Sequence, residues 1–208
     1  NCTPVGYTNY NVADQLADIG MEAIHPKASK PLELAGINIR IKNSFEPDHP
    51  GTLITRDYRG EESKVEIISG TNVVTAIEIH DPLMVGQVGY DLRMMQIIEK
   101  HGLSYILKST NANSITMVFW EKDITKALTK ELEDTYFEIT AKKVAIVCTL
   151  GTNIAKPGSL ASATQALHEN SINIEAVSQS LKQVNMQFVI DRKDYKKAII
   201  ALNKALCS

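Results

Sequence analysis

From residue 73 to residue 80 apolar and polar side chains alternate, the period of a strand with one buried face. A turn through Asp81, Pro82 and Gly86 follows, and then the period changes. Met94, Ile97 and Ile98 stand at the i, i+3, i+4 spacing of one packed helix face, which predicts a helix over 89–101 with Gly102 as its terminator. Strands are predicted over 103–108 and 114–121, on either side of the polar turn Asn111-Ala112-Asn113. A helix over 124–132 and a strand over 137–141 complete a β-α-β-β-α-β order. The same pattern then returns without a gap. Gly89 is matched by Gly158, 69 residues on, and Ile77, Met94, Tyr105 and Met117 fall on Ile146, Ala163, Ile174 and Met186. A repeat at fixed offset is the mark of two copies of one supersecondary unit.

The second copy predicts strands over 143–150, 172–178 and 185–191, with helices over 158–170 and 194–206. It stops at its last helix, so its final strand must come from elsewhere, either from the first copy or from the apolar stretch near 65–68. The expected fold class is α+β: two interlocked ferredoxin-like sandwiches, as domains 73–142 and 143–208. Residues 1–54 have another texture. Val12, Leu16 and Ile19 predict a short helix ending at Gly20, a second short helix reaches about Ala35, and Ile37, Ile39 and Ile41 alternate in a strand. A piece of this size buries too little surface to stand alone and reads as the end of a larger α/β domain. The stretch 55–72, with Glu61-Glu62-Ser63-Lys64, reads as a solvated linker.

Composition narrows the function. At 208 residues, 44% apolar and 22% charged, the chain has the make-up of a folded globular protein and not of a disordered one. A net charge of −2 leaves no electrostatic footprint for nucleic acid or an anionic membrane. No apolar run nears the roughly 18 residues of a membrane span, and no leader precedes the first elements, so a cytoplasmic location is expected. The chain starts at Asn1 and not at a methionine, consistent with a piece of a longer protein. Cys2, Cys148 and Cys207 are far apart and odd in number, which predicts neither a disulfide framework nor a zinc site. Cys148, on an apolar strand face, reads as a buried thiol. His25-Pro26 reads as a structural turn, and Arg40 and Lys42 as solvated charges.

Two stretches resemble aspartokinase. Gly20-Met-Glu-Ala-Ile-His-Pro-Lys, continuing through Ile37-Asn-Ile-Arg-Ile-Lys-Asn to Pro50-Gly-Thr-Leu-Ile54, is similar to the closing segment of that family's catalytic domain. The repeat resembles the tandem ACT modules that follow it, in Gly89 and Gly158 at helix starts, Gly102-Leu-Ser-Tyr and Ser171-Ile-Asn-Ile before a strand, and Ser178-Gln-Ser180 after it. The resemblance implies an enzyme that phosphorylates the β-carboxylate of aspartate with ATP and Mg. It also implies that this stretch is regulatory and catalytically incomplete, with no cofactor of its own, because no Gly-rich phosphate loop occurs in the sequence.

In that family ACT modules pair between subunits and bind a feedback amino acid such as lysine or threonine. The resemblance therefore implies a homodimer with an amino-acid effector. The turn before a helix offers free N–H groups and a positive dipole end to an α-carboxylate. The candidate contacts are Asp81, Met84, Gly86, Gln87, Gly89, Tyr90 and Asp91 on that turn, and Tyr105, Ile106 and Asn111 on the next strand. Pro157, Gly158, Gln179 and Ser180 are the second-module candidates. Lysine-sensitive relatives can place an acid where this chain has Ile106, which leaves Asp81 and Asp91 as the nearby anions. RNA binding by a sheet of this kind needs exposed aromatics on central strands, and 143–150 has none. The alternative reading is a stand-alone ACT sensor or dimerisation module without an enzymatic partner domain.

Overall fold

The structure is a computed structural model that describes residues 4–21 and 23–207. Cys2 lies outside the described residues. The leader contains strand β1 (Tyr7–Asn9), helices α1 (Tyr10–Asp18) and α2 (Pro26–Leu34), and strands β2 (Ile39–Ile41) and β3 (Thr52–Thr55). The three strands form a small sheet in the order β1-β3-β2, in which β1 and β3 run parallel. Local pattern showed only β2 of this set. Asn9 caps α1 by accepting from the Val12 amide at 3.0 Å, and His25 caps α2 through Nδ1, the structural role read for it. Arg40 and Lys42 donate to the carbonyls of Pro50 and Pro47, clamping the turn that leads into β3.

The rest is one six-stranded antiparallel sheet. Its strands are β4 (Ile67–His80), β5 (Leu107–Thr110), β6 (Ser114–Trp120), β7 (Glu138–Leu150), β8 (Ile174–Gln179) and β9 (Asn185–Asp191). Helices α3 (Tyr90–Lys100), α4 (Lys126–Thr135), α5 (Ser159–Glu169) and α6 (Tyr195–Leu206) lie between them. The order β5-β6-β4-β7-β9-β8 shows how the modules interlock. The far half of β4, Val74 to His80, pairs with β6 and with the near half of β7 in the first module. The near half of β4 pairs Ile67–Thr71 with Leu150–Ile146 and so supplies the strand that the second module lacks. β4 thus begins inside the stretch read as linker. The two strands expected over 137–141 and 143–150 are one continuous β7.

Side-chain parity sorts the packing. Ile77 and Ile79 of β4 meet α3 and α4 in the first module's core, with Met94, Ile98, Phe119 and Leu128. Ala145 and Val147 of β7 meet α5 and α6 in the second, with Ala163, Leu167, Phe188 and Leu202. The opposite face carries Val74, Ala76, Val144, Ile146, Cys148 and Leu150, and α1 covers it with Val12, Leu16 and Ile19. The sheet curls around this cluster until its edge strands β5 and β8 come together. Cys148 sits inside, fully buried, and burial pushes its thiol pKa up.

Both modules end their first helix in the same way. After α3, Gly102 adopts φ +65° while its amide bonds the Glu99 carbonyl and the Leu103 amide bonds that of Ile98. This is a Schellman motif. After α5 the corresponding residue is Ser171, held at φ +53° with equivalent bonds to His168 and Leu167. A side chain there meets the steric cost of the left-handed region. Ser171→Gly is therefore expected to stabilise the protein by about 0.5–1 kcal/mol, the gain being partly offset by glycine's greater freedom when unfolded. Urea unfolding of the two proteins measures it, and an unchanged midpoint would refute the strain.

Candidate functional site

β4 ends at His80 and the chain reverses through Asp81 into the short 3-10 turn Pro82–Met84. Asp81 organises this turn. Its Oδ1 accepts from the Leu83 amide at 2.9 Å, and its Oδ2 accepts from the Tyr90 hydroxyl at 2.8 Å. Gly86 at φ +75° and Gly89 at φ +80° turn the chain onto α3, a conformation that a side chain at either position would strain. Gly89 is the N-cap and places no side chain over the helix end, which stays open.

The turn borders a cavity of about 420 Å³ lined by Asp81, Leu83, Gln87, Val88, Gly89 and Tyr90 on this side. Arg93, one helical turn along α3, and Thr135, Tyr136 and Phe137 at the end of α4 form the remaining wall. The Tyr90 and Tyr136 rings pack at 5.7 Å with their planes 52° apart. Tyr136 is 7% exposed, and its buried hydroxyl has no hydrogen-bond partner among the described residues. Burial pushes its pKa up to about 12, against the pull of Arg93. Burial and the bond to Asp81 push Tyr90 up as well, so both phenols stay neutral donors. Leu83, Val88 and Phe137 stand exposed at the mouth. The arrangement therefore sets a guanidinium, a carboxylate and an open helix N-terminus around one small space, which suits a small zwitterion.

Of the residues singled out from sequence, Asp81, Gln87, Gly89 and Tyr90 come together here. Met84 packs against the first module's core, and Gly86 shapes the turn without lining the cavity. Asp91 is paired with Lys108 of β5, and Asn111 is spent on its own turn, accepting from Asn113 and Ser114. Tyr105 is partly exposed beside β5. Ile106 stands just before β5 and packs, together with its neighbour Leu107, into the α1 cluster, and it does not line the cavity. Arg93, Thr135, Tyr136 and Phe137 carry no local signal in the sequence.

The second module's turn is different. Pro157 and Gly158 are exposed, with Gly158 at φ +93° as the N-cap of α5, and Gln179 and Ser180 are exposed at the end of β8. The residues just before them are covered by the chain itself. Thr152 is 8% exposed and Ile154 1%, whereas Val85, which corresponds to Ile154 in the first module, is 63% exposed. The cover is the segment preceding β4. No helix among the described residues is long and apolar enough to cross a membrane.

Known proteins match this architecture. A family model for the ACT domain matches residues 147–206. An aspartate kinase of Stutzerimonas stutzeri is 43% identical over 205 residues, covering 97% of the chain and 43% of that relative. The chain thus spans less than half the length of this relative. The crystal structure of Clostridium acetobutylicum aspartate kinase superimposes with a TM-score of 0.90 at 24% identity, over 99% of this chain and 49% of that one. That of Escherichia coli aspartokinase III in complex with lysine and aspartate superimposes with a TM-score of 0.82 at 18% identity, over 99% of this chain and 47% of that one. At these identities the two structures share the fold. Taken with the sequence match, they show that the chain belongs to the aspartokinase family and carries the ACT-type fold of its regulatory part.

Proposed function

We propose that this chain is the regulatory region of a cytoplasmic kinase that transfers a phosphoryl group from ATP, with Mg, to the β-carboxylate of L-aspartate. Its first ACT module senses a free amino acid. The observation that carries this reading is the cavity beside Asp81 and Gly89. There the α-carboxylate would face the α3 N-terminus and Arg93, and the ammonium group would face Asp81. E. coli aspartokinase III, crystallised with lysine and aspartate, supports lysine as one effector for a fold of this shape. Threonine fits the same zwitterion chemistry and lacks a second ammonium, which matters because Asp81 is the one carboxylate among the described residues that line the cavity. A homodimer through the ACT sheets fits the exposed Leu83, Val88 and Phe137 around the cavity mouth. Effector binding would then bias a two-state arrangement of the attached catalytic domain.

Isothermal calorimetry of the chain against the twenty amino acids tests the sensor. One small set, with lysine or threonine in it, is expected to bind. Asp81→Asn should weaken that binding by about 10–100-fold, the worth of a hydrogen bond to a charged group. No heat from any amino acid would end this reading while leaving the family assignment untouched.

A further inference from the structure

The two turns solve one problem in two ways. In the first module the Leu83 amide is satisfied by the Asp81 carboxylate. The corresponding amide in the second module is that of Thr152, 69 residues on, but the residue corresponding to Asp81 is Leu150, which is buried and apolar. The missing carboxylate arrives from outside the module. Glu66 accepts from the Thr152 amide at 3.0 Å through Oε2 and from the Thr152 hydroxyl at 2.9 Å through Oε1.

Glu66 comes with a segment fitted to the turn. The Gly60 amide donates to Thr152 Oγ1 at 2.8 Å, and Asn153 Nδ2 returns a bond to the Gly60 carbonyl at 2.9 Å. Arg59 donates twice to Asn153 Oδ1, at 3.0 and 2.7 Å, and Ser63 donates to the Asn153 carbonyl at 2.8 Å. Val65, 6% exposed, packs into the second module's core beside Ile154. The fit is close at the backbone as well. A Cβ on Gly151 would lie 2.8 Å from the Lys64 carbonyl oxygen, and one on Gly60 would lie 2.8 Å from Glu66 Oε1. The stretch expected to be a solvated linker has an exposed run at Glu61 and Glu62 and a docked frame around it.

We propose that Arg59–Glu66 is a strap that acts as a built-in occupant of the second module's turn, with Glu66 as an internal carboxylate ligand. The strap holds that turn shut to free amino acids. It leaves the first module, whose turn is open, as the effector site of each chain. Because the strap joins the leader to β4, it also ties the leader to the second module. The closure rests on the reading of these turns as amino-acid sites; the docking of the strap stands without it.

The test uses the 208-residue chain with two readouts. Hydrogen exchange and limited trypsin cleavage after Arg59 and Lys64 report the strap. Glu66→Ala and, separately, Val65→Ala are expected to speed cleavage and exchange at Thr152 by at least about tenfold, the effect of losing roughly 1.4 kcal/mol of docking. Asp81→Ala should raise exchange at Leu83 and leave Thr152 as it was. Equal protection of the strap in wild type and both strap variants would overturn the proposal. Calorimetry with lysine and threonine reports the closure: wild type takes up one equivalent, and two equivalents bound while the strap stays protected would overturn it. Silence with both amino acids, alongside a strap released by Glu66→Ala, would instead sink the effector reading alone.

Discussion

Replacing Gly70 with alanine is expected to destabilise the protein by about 2–3 kcal/mol, the range of an overpacked core site where backbone must move. Gly70 lies in the near half of β4, paired with Val147. A Cβ at this position would fall 2.2 Å from the Ile146 carbonyl oxygen and 3.1 Å from the Val147 Cα. Neither obstacle is the end of a flexible side chain, so β4 and β7 would have to separate locally. Two other features depend on the same spot. The Tyr195 hydroxyl of α6 donates to the Gly70 carbonyl at 2.9 Å, and the register of β4 against β7 shifts just beyond, between Thr71 and Val74. The bulge is where one strand passes from one module to the other. Gly70→Ala thus strikes the join between modules. Urea unfolding measures the loss, with Gly6→Ala as the control, since a Cβ there meets nothing within 4 Å. Equal midpoints for Gly70→Ala and wild type would show that the crossing is not tight.

The repeat was legible because each module obeys local rules: period two in its strands, an i, i+3, i+4 face in its helices, and a glycine at the start of its first helix. The joining of the modules was less legible for a physical reason. The residues 140–143, Thr-Ala-Lys-Lys, are exposed and polar or small in the middle of β7, so the pattern breaks although the strand does not. In β4 the bulge shifts which positions face the core, and this hides a single 14-residue strand behind two patterns. β1 and β3 pair Tyr7 with Leu53 across the whole leader, a contact with no local signature.

The candidate site divides the same way. The turn from Asp81 to Gly89 is continuous in sequence and was found from it. Its far wall, Thr135 to Phe137, is brought in by α4 from the other end of the module. Ile106 shows the limit of carrying a position over by strand alone, since it stands just before β5 and packs with Leu107 into the α1 cluster. Glu66 was within reach. Extending the 69-residue offset back to Asp81 reveals Leu150, a turn without its carboxylate.

Substituting Leu16 is expected to have the largest effect on how the leader and the modules hold together. Val12, Leu16 and Ile19 present one face of α1 to Val74, Ile146, Cys148 and Leu150, and Leu16 is 9% exposed. Polar contacts frame that face, with Asn185 donating to Gln15 at 2.7 Å and Lys182 to Asn11 at 2.8 Å. The Trp120 ring closes over Gly20, where a Cβ would meet it at 3.0 Å. The helix is therefore the lid of a core whose other walls are the strands of both modules. Leu16→Ala should cost about 2–4 kcal/mol, the usual range for a buried leucine. Leu16→Asp should cost more, because a carboxylate with no partner would enter an apolar cluster. The two losses should differ in kind. If leader and sheet share one core, Leu16→Ala lowers the stability of α1 and of β7 together, so their amides exchange faster in parallel. Leu16→Asp should detach α1 and expose Val144 and Ile146, while α3 to α6, which pack on the opposite face, keep their protection. Hydrogen exchange followed peptide by peptide separates these outcomes. Loss of protection confined to α1 in both variants would mean that the helix rests on the sheet without completing its core, and the leader and modules would then be separate folding units.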